Sequence, residues 1–317
     1  MDLFIIAAAL IAILCLLWLT SALVLFVYRR RVPPPYGFVN VNGVDLHYFE
    51  KGSGPPVVLV HGSNGSLQDF KLSVMDMLST SFRSMAFDRP GHGLSQRSPG
   101  KQTSCAVHGD LVRTAWKKLG VERPVLVGHS SAGAVLMDIA VRHPEDVAAV
   151  VLISGVVYSY EGQKVPVMGL FRLLGRRFLG TFLLWTLLLP LGSLVGRWLL
   201  KFTFAPNPVP KAYRRLGLAL ALRPSALRAE AEDLECLSPT LKAIEGSYHD
   251  IAIPVFIVVG DMDKNVPPET ESLRLARELP SAKLVRLPST GHMPMFIRPQ
   301  EVVDAVHAAW ESSLRPR

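Results

Sequence analysis

The hydrophobic pattern opens with an unbroken apolar run. No charged residue occurs from Leu3 to Tyr28, and Arg29, Arg30 and Arg31 follow it directly. At about 1.5 Å per residue, a helix of that length crosses a hydrocarbon core of ~30 Å. A secretory signal peptide would carry a basic leader and a shorter apolar stretch, whereas here only Met1 and Asp2 precede a long one. The expectation is a single-pass membrane anchor over residues 1–31. The positive-inside tendency puts the three arginines, and the rest of the chain after them, on the cytoplasmic side. Residues 32–37, with Pro33 to Pro35, cannot continue the helix and read as a stiff linker.

Beyond the linker the period changes. "FVNVNGVDLHYFE" alternates apolar and polar residues around Asn42-Gly43, the signature of a hairpin. "VVLVHG", "FRSMAFD", "PVLVGH", "VAAVVLIS", "IPVFIVVGD" and "AKLVRLP" are short Val/Ile/Leu-rich runs, each ending in turn residues. Helical patterns lie between several of them, over residues 103–119 and from Ala132 to His143. Unbroken apolar strands alternating with helices predict a mostly parallel sheet covered on both faces, an α/β fold. The alternation stops from about Gly155 to His249. The first half of that interruption is too apolar for an exposed insertion, and Phe178 to Gly196 carries no charge. Arg172, Arg176, Arg177, Arg197 and Lys201 flank or interleave with these apolar residues, a mixture that suits a helix lying at a lipid interface. A helix packed on the core is the competing expectation.

Composition narrows the function. The 317 residues suit one large α/β domain with an insertion. Apolar residues make up 49%, high for a soluble chain, which agrees with a membrane segment. The net charge of +8 comes with no nucleic-acid motif, so nucleic acid is set aside as a partner. Cys15, Cys105 and Cys236 are far apart and form neither a disulfide framework nor metal-ligand spacing.

The candidate chemistry sits in "VLVGHSSAGA", residues 125–134, which runs from a strand into a helix. Function in open parallel sheets collects at the carboxyl ends of strands. A sharp strand-turn-helix that lifts one side chain clear needs small residues two before and two after it. Ser130 has Gly128 and Ala132 there, whereas Ser131 has His129, which is too large. Ser130 is therefore the candidate nucleophile, in a G-x-S-x-A version of the elbow.

With these motifs the chain resembles the α/β-hydrolase family over roughly Phe38 to Trp310. "VGHSSAG" resembles its nucleophile elbow, "LVHGSNGS" its oxyanion loop and "FDRPGHGLS" the turn after its fourth strand. "VVGDMDKNVP" resembles its acid loop and "STGHMP" its histidine loop. The resemblance implies an eight-stranded, mostly parallel sheet with helices on both faces. It also implies a core of residues 38–154 and 250–317, with a helical cap of residues 155–249 inserted after the sixth strand. In chemical terms it implies Ser130 as nucleophile, His292 as general base and then acid, and Asp263 as the group that orients the imidazole, with Asp261 the rival. The backbone N–H groups of Ser63 and Ser131 would form the oxyanion hole. No metal or organic cofactor is implied.

His61 and His129 read as structural, and Asp88, Arg89 and His92 as turn-forming. His108, His143, His249 and His307 default to surface or core. A complete crossing by the second apolar run would separate Ser130 from Asp263 and His292, so that run is expected in the cap, re-entrant or interfacial. The expected function is a membrane-anchored serine hydrolase of carboxylic esters, with a lipid or other apolar acyl ester as substrate. The anchor-plus-cap layout is similar to that of membrane-bound monoacylglycerol lipases. The alternatives are a C–C bond hydrolase or a cofactor-free perhydrolase on the same triad, and a non-catalytic membrane-tethered scaffold.

Overall fold

The computed structural model describes residues 2–97, 104–160, 173–174, 176–279 and 281–315. Arg172, one of the basic residues singled out above, lies outside the described residues. Eight strands form one sheet: β1 (Gly37–Val41), β2 (Val44–Lys51), β3 (Pro56–Val60), β4 (Arg83–Phe87), β5 (Val125–His129), β6 (Ala149–Ile153), β7 (Val255–Gly260) and β8 (Lys283–Leu287). Their spatial order is β1-β2-β4-β3-β5-β6-β7-β8. The first two pairings are antiparallel and the rest are parallel. The hairpin turns at Asn42 and Gly43, both at positive φ (52° and 84°), the backbone a two-residue turn between twisted strands requires.

Strand residues alternate between two cores. Two single-turn helices, α2 (Gln68–Lys71) and α3 (Met75–Leu78), follow β3. Val58, Leu126, Val150 and Ile257 face one side with α4 (Cys105–Lys118) and α5 (Ala132–Arg142). Their neighbours Val57, Val127, Val151 and Val258 face the other side, toward the C-terminal helix Pro299–Ser313. This period of two, with both faces apolar, is why the strands read as continuous Val/Ile/Leu runs. Ser104 caps α4 by accepting the Val107 N–H at 3.2 Å, which fixes where the helix starts.

Between β6 and β7 the chain makes α6 (Arg177–Leu183), a π-turn over Leu184–Leu188, α7 (Leu189–Phe204), α8 (Lys211–Ala221) and α9 (Pro224–Ile244). The first three are one continuous apolar rod. Leu184, Leu189, Gly196 and Phe204 are buried, while Phe178, Leu194 and Trp198 are at least 65% exposed. The rod therefore has one face on the protein and one bare apolar face.

The N-terminal helix, α1 (Asp2–Arg29), is apolar enough to span a membrane, and so, by length and composition, is Phe178–Phe204. The two pack side by side. Trp18 stacks on Trp185 with ring centroids 5.7 Å apart, the Ser21 hydroxyl donates to the Trp185 carbonyl, and Leu25 is buried with Leu189 and Leu222. Contacts advance together along both helices, from Leu14 near Phe182 to Tyr28 near Leu194, so the helices run parallel.

Candidate active site

The turn after β5 sets the site. Ser130 has φ of +52°, unusual for a serine, and it is held there by its N–H to Ile153 O at 3.0 Å. Its own carbonyl accepts from Gly133 and Val156 N–H groups, each at 2.9 Å. The small-residue requirement has a direct steric cause. A Cβ on Gly128 would lie 2.6 Å from Leu136 Cδ2, and one on Gly62 would lie 2.7 Å from Ser130 Cβ. The strained backbone thus lifts Ser130 at the carboxyl end of a central strand.

Ser130, His292 and Asp263 come together although 29 and 162 residues separate the bonded pairs. Asp263 Oδ2 lies 2.8 Å from His292 Nδ1, and His292 Nε2 lies 3.1 Å from Ser130 Oγ. Asp263 Oδ1 accepts the N–H groups of Asn265 (2.9 Å) and Val266 (3.0 Å), which fixes the carboxylate plane. Burial works to raise its pKa, but the His292 bond and these two N–H groups prevail and hold it below the ordinary carboxyl range. An ionised Asp263 on Nδ1 selects the tautomer that leaves Nε2 free to take a proton from Ser130. Asp261 is exposed and makes no bond to His292 among the described contacts.

Ser63 and Ser131 are neighbours across the pocket, with their hydroxyls 3.0 Å apart. Among the described residues neither backbone N–H has a protein acceptor, so both donors remain available beside Ser130. A cavity of about 500 Å³ opens over these groups. Val156, Leu234, Leu237 and Val266 line it alongside Asn64, Asp69 and Tyr213, so the pocket is apolar on part of its wall and polar on the rest.

His61 donates through Nδ1 to Gly62 O at 2.8 Å and accepts the Arg89 N–H on Nε2 at 2.9 Å. Burial, then the Arg89 charge, push its pKa well down, so it is neutral and structural. His129 donates to the His292 carbonyl at 2.9 Å; burial and the neighbouring imidazole push its pKa down to about 3. It braces the histidine loop from below. Asp88 accepts from Leu67 N (2.7 Å), Leu94 N (2.8 Å) and His47 Nδ1 (2.7 Å), the work of a turn. His108 is buried with Nε2 3.5 Å from Asp233, His143 is half-buried, His249 is exposed, and His307 packs on Phe82.

Arg89 and His92 do more than shape a turn. Arg89 Nη1 and His92 Nε2 both reach Asp233 of α9, at 2.9 and 3.0 Å. One turn earlier on the same helix, the buried Glu230 accepts the Asn64 N–H at 3.0 Å. Asn64 follows Ser63, so α9 grips the candidate oxyanion loop. On the other side Asn207 accepts from Gly291 N and donates to Ser289 O, each at 2.9 Å, clamping the histidine loop. Asp69 and Tyr213 face each other in the pocket. Burial raises the Asp69 carboxyl to about 7 despite help from the Tyr213 hydroxyl and the Ser66 N–H. The sequence pattern did not single out Glu230, Asp233, Asn207, Asp69 or Tyr213. The available signal was two carboxylates three apart on one helix, and that pattern is usually a solvated face.

Among the described residues, His143, Glu145 and Asp146 are the one cluster with metal-ligand spacing. It lies at the end of α5, away from the pocket, and Arg113 and Lys117 already engage Asp146.

A family profile described as alpha/beta hydrolase fold matches residues 55–299. The chain belongs to the alpha/beta hydrolase fold family. An uncharacterized protein of Mycobacterium tuberculosis is 28% identical to this hydrolase-fold chain over 289 residues, covering 88% of this chain and 82% of that one. The rat bifunctional epoxide hydrolase 2 is 33% identical over 117 residues, which is 36% of this chain and 21% of the rat protein. Among solved structures, a thermophilic esterase from Thermogutta terrifontis superposes with a TM-score of 0.68 at 22% identity, covering 89% of this chain and 99% of the esterase. Family membership and these relatives support a hydrolase.

Proposed function

We propose that this hydrolase is a membrane-anchored serine esterase that cleaves carboxylic esters of apolar acyl chains through an acyl-Ser130 intermediate. The observation that carries the reading is the hydrogen-bonded series Asp263–His292–Ser130 opening into one cavity with two unpaired N–H donors. His292 takes the Ser130 proton as Oγ attacks the ester carbonyl, and the developing oxyanion is met by the Ser63 and Ser131 N–H groups. The imidazolium returns its proton to the leaving alcohol, which departs. Water, deprotonated by the same histidine, then releases the acid. The serine nucleophile distinguishes this reading from epoxide opening, which in this fold uses an aspartate at the elbow.

The apolar wall of Val156, Leu234, Leu237 and Val266 suits an acyl chain, and the polar wall of Asn64, Asp69 and Tyr213 suits a hydroxyl-bearing alcohol part. α1 acts as the anchor, residues 155–249 as the cap, and the bare apolar face of Phe178–Phe204 as the part of the cap in contact with lipid. Arg29, Arg30 and Arg31 set the catalytic domain on the cytoplasmic side.

The test is hydrolysis of p-nitrophenyl esters from two to sixteen carbons by detergent-solubilised protein and by Ser130→Ala. Activity that rises with chain length and disappears in the variant is the expected result. Activity confined to short chains would move the substrate to small soluble esters. No activity, together with no fluorophosphonate labelling of the folded protein, would overturn the serine hydrolase reading.

A further inference from the structure

Where α1 ends, it meets α7 and α8 around a cavity of about 560 Å³ lined by Tyr28, Arg31, Ser193, Leu194, Arg197 and Arg214, with Leu218. Arg197 and Arg214 also line the adjoining cavity of about 640 Å³, together with Lys201. Among the described residues no acidic side chain lines either one. Arg31, Arg197 and Arg214 are exposed, whereas Arg89, Arg113 and Arg142 are engaged by Asp233, Asp146 and Asp138. Arg31, Arg197 and Arg214 have no carboxylate within 4.0 Å among the described residues. Two of these cations are held in place rather than left to swing away from each other. Arg31 lies 5.2 Å over the Tyr28 ring, and Arg214 donates to Val209 O at 3.1 Å. Like charges gathered along one concave surface sum to a positive potential that favours an anion among them.

The same helix pair carries a second, wholly different groove. Leu14, Trp18, Leu19, Phe182 and Trp185 line a cavity of about 610 Å³ between α1 and the Phe178–Phe204 rod. It lies roughly 15 Å back along the parallel helices, ten residues at the helical rise. One end of the pair is therefore basic and the other greasy, which is the polarity of a single phospholipid. Leu194 and Trp198, 75% and 65% exposed, mark the apolar surface next to the basic end.

We propose that this junction binds an anionic phospholipid, its phosphate among Arg31, Arg197 and Arg214 and an acyl chain along the groove beside Trp18 and Trp185. The proposal rests on α1 being a membrane anchor, which brings the end of α1 to headgroup level. The bound lipid would pin the anchor to the cap and so fix how the cap sits over the membrane.

The test is a thermal titration of the full chain in neutral detergent at fixed ionic strength, with dioctanoyl phosphatidylglycerol, dioctanoyl phosphatidylcholine and inorganic phosphate added separately. Phosphatidylglycerol is expected to raise Tm saturably and phosphatidylcholine far less, because a ligand of the folded state stabilises it by mass action. Arg31→Gln is expected to weaken the midpoint about fivefold, and the triple variant with Arg197→Gln and Arg214→Gln by about a hundredfold. Arg31 is exposed at a helix end, so its single variant keeps the test valid should the triple variant misfold. Equal shifts from both lipids, or an undiminished phosphatidylglycerol shift in the variants, overturn the proposal. A phosphate shift that matches phosphatidylglycerol overturns the lipid assignment in favour of a free anion. Retention in alkali-washed membranes tests the anchor separately. Loss of the wild type from the pellet overturns the anchor, whereas retention without lipid preference overturns the site alone.

Discussion

Asp261 and Asp263 stand two residues apart on one loop, and the structure gives them opposite environments. Asp263 is buried against His292, while Asp261 faces solvent. Asp263→Asn should lower kcat/KM for a p-nitrophenyl ester by about 10²- to 10⁴-fold, because an amide favours the wrong imidazole tautomer. Asp261→Asn should leave it within about twofold. A large loss in Asp261→Asn with a small one in Asp263→Asn would reverse the assignment. The pairing of Asp263 with His292 was legible beforehand from the resemblance of "VVGDMDKNVP" to the family's acid loop, because a local motif fixes a local loop. Asp69 was not legible. Nothing near it in sequence announces a carboxyl buried opposite Tyr213, a partner 144 residues away. Its raised pKa makes a signed prediction. The unfolded carboxyl ionises near its ordinary value, while the folded one keeps its proton to about 7. Between those values the folded state binds more protons, so this group makes stability fall as pH rises, and the loss is complete above pH 7. Asp69→Asn should flatten that part of the Tm-against-pH curve and be more stable than wild type at pH 8. Superimposable curves would show that Asp69 does not titrate this way. Glu271, also raised to about 7 by burial, leaves a residual slope in both proteins.

At the scale of elements, the sheet was legible because each strand is buried on both faces and must be apolar throughout. The elbow was legible because its crowding is set by neighbours two residues away. The contacts that join α9 to the core were not, since an ion pair across 144 residues leaves no period in the chain. Under the proposed mechanism those contacts have a catalytic consequence. Glu230 holds the Asn64 N–H, and Asn64 is at φ +52°, a left-handed conformation that asparagine tolerates and the Glu230 bond fixes in place. Releasing it lets the Ser63 N–H wander from the oxyanion position. Glu230→Ala should therefore lower kcat about tenfold with a smaller change in KM, as expected for loss of transition-state stabilisation. Glu230→Gln keeps an acceptor of the same length and should recover most of that loss. A KM effect alone, or a Gln variant as impaired as Ala, would assign Glu230 to binding or folding instead.

For the whole molecule, the decisive arrangement is that the first helix does not stand apart from the hydrolase. Its C-terminal half lies along the cap, with Ser21 and Leu25 buried, while most residues before Leu17 are exposed. Removing residues 1–29 would uncover Trp185, Leu189 and Leu222 next to a rod that already exposes Phe178, Leu194 and Trp198. A patch of that size on a soluble protein is unusual and drives association with lipid or with other copies. The truncated chain is thus expected to stay with membranes through high-salt washing, to leave them only with detergent, and to keep the proposed esterase activity in micelles, since α1 packs on the cap helices and does not line the Ser130 pocket. The measurement is membrane fractionation followed by size-exclusion chromatography of the truncated and full chains. A truncated chain that is monodisperse without detergent would mean that the rod refolds onto the core and does not face lipid. The full chain would then hold to the membrane by α1 alone. Detergent dependence in both chains would mean that the cap carries a second, independent attachment, and it would set the rod, which reaches the Ser130 cavity at Thr203, close to the lipid surface.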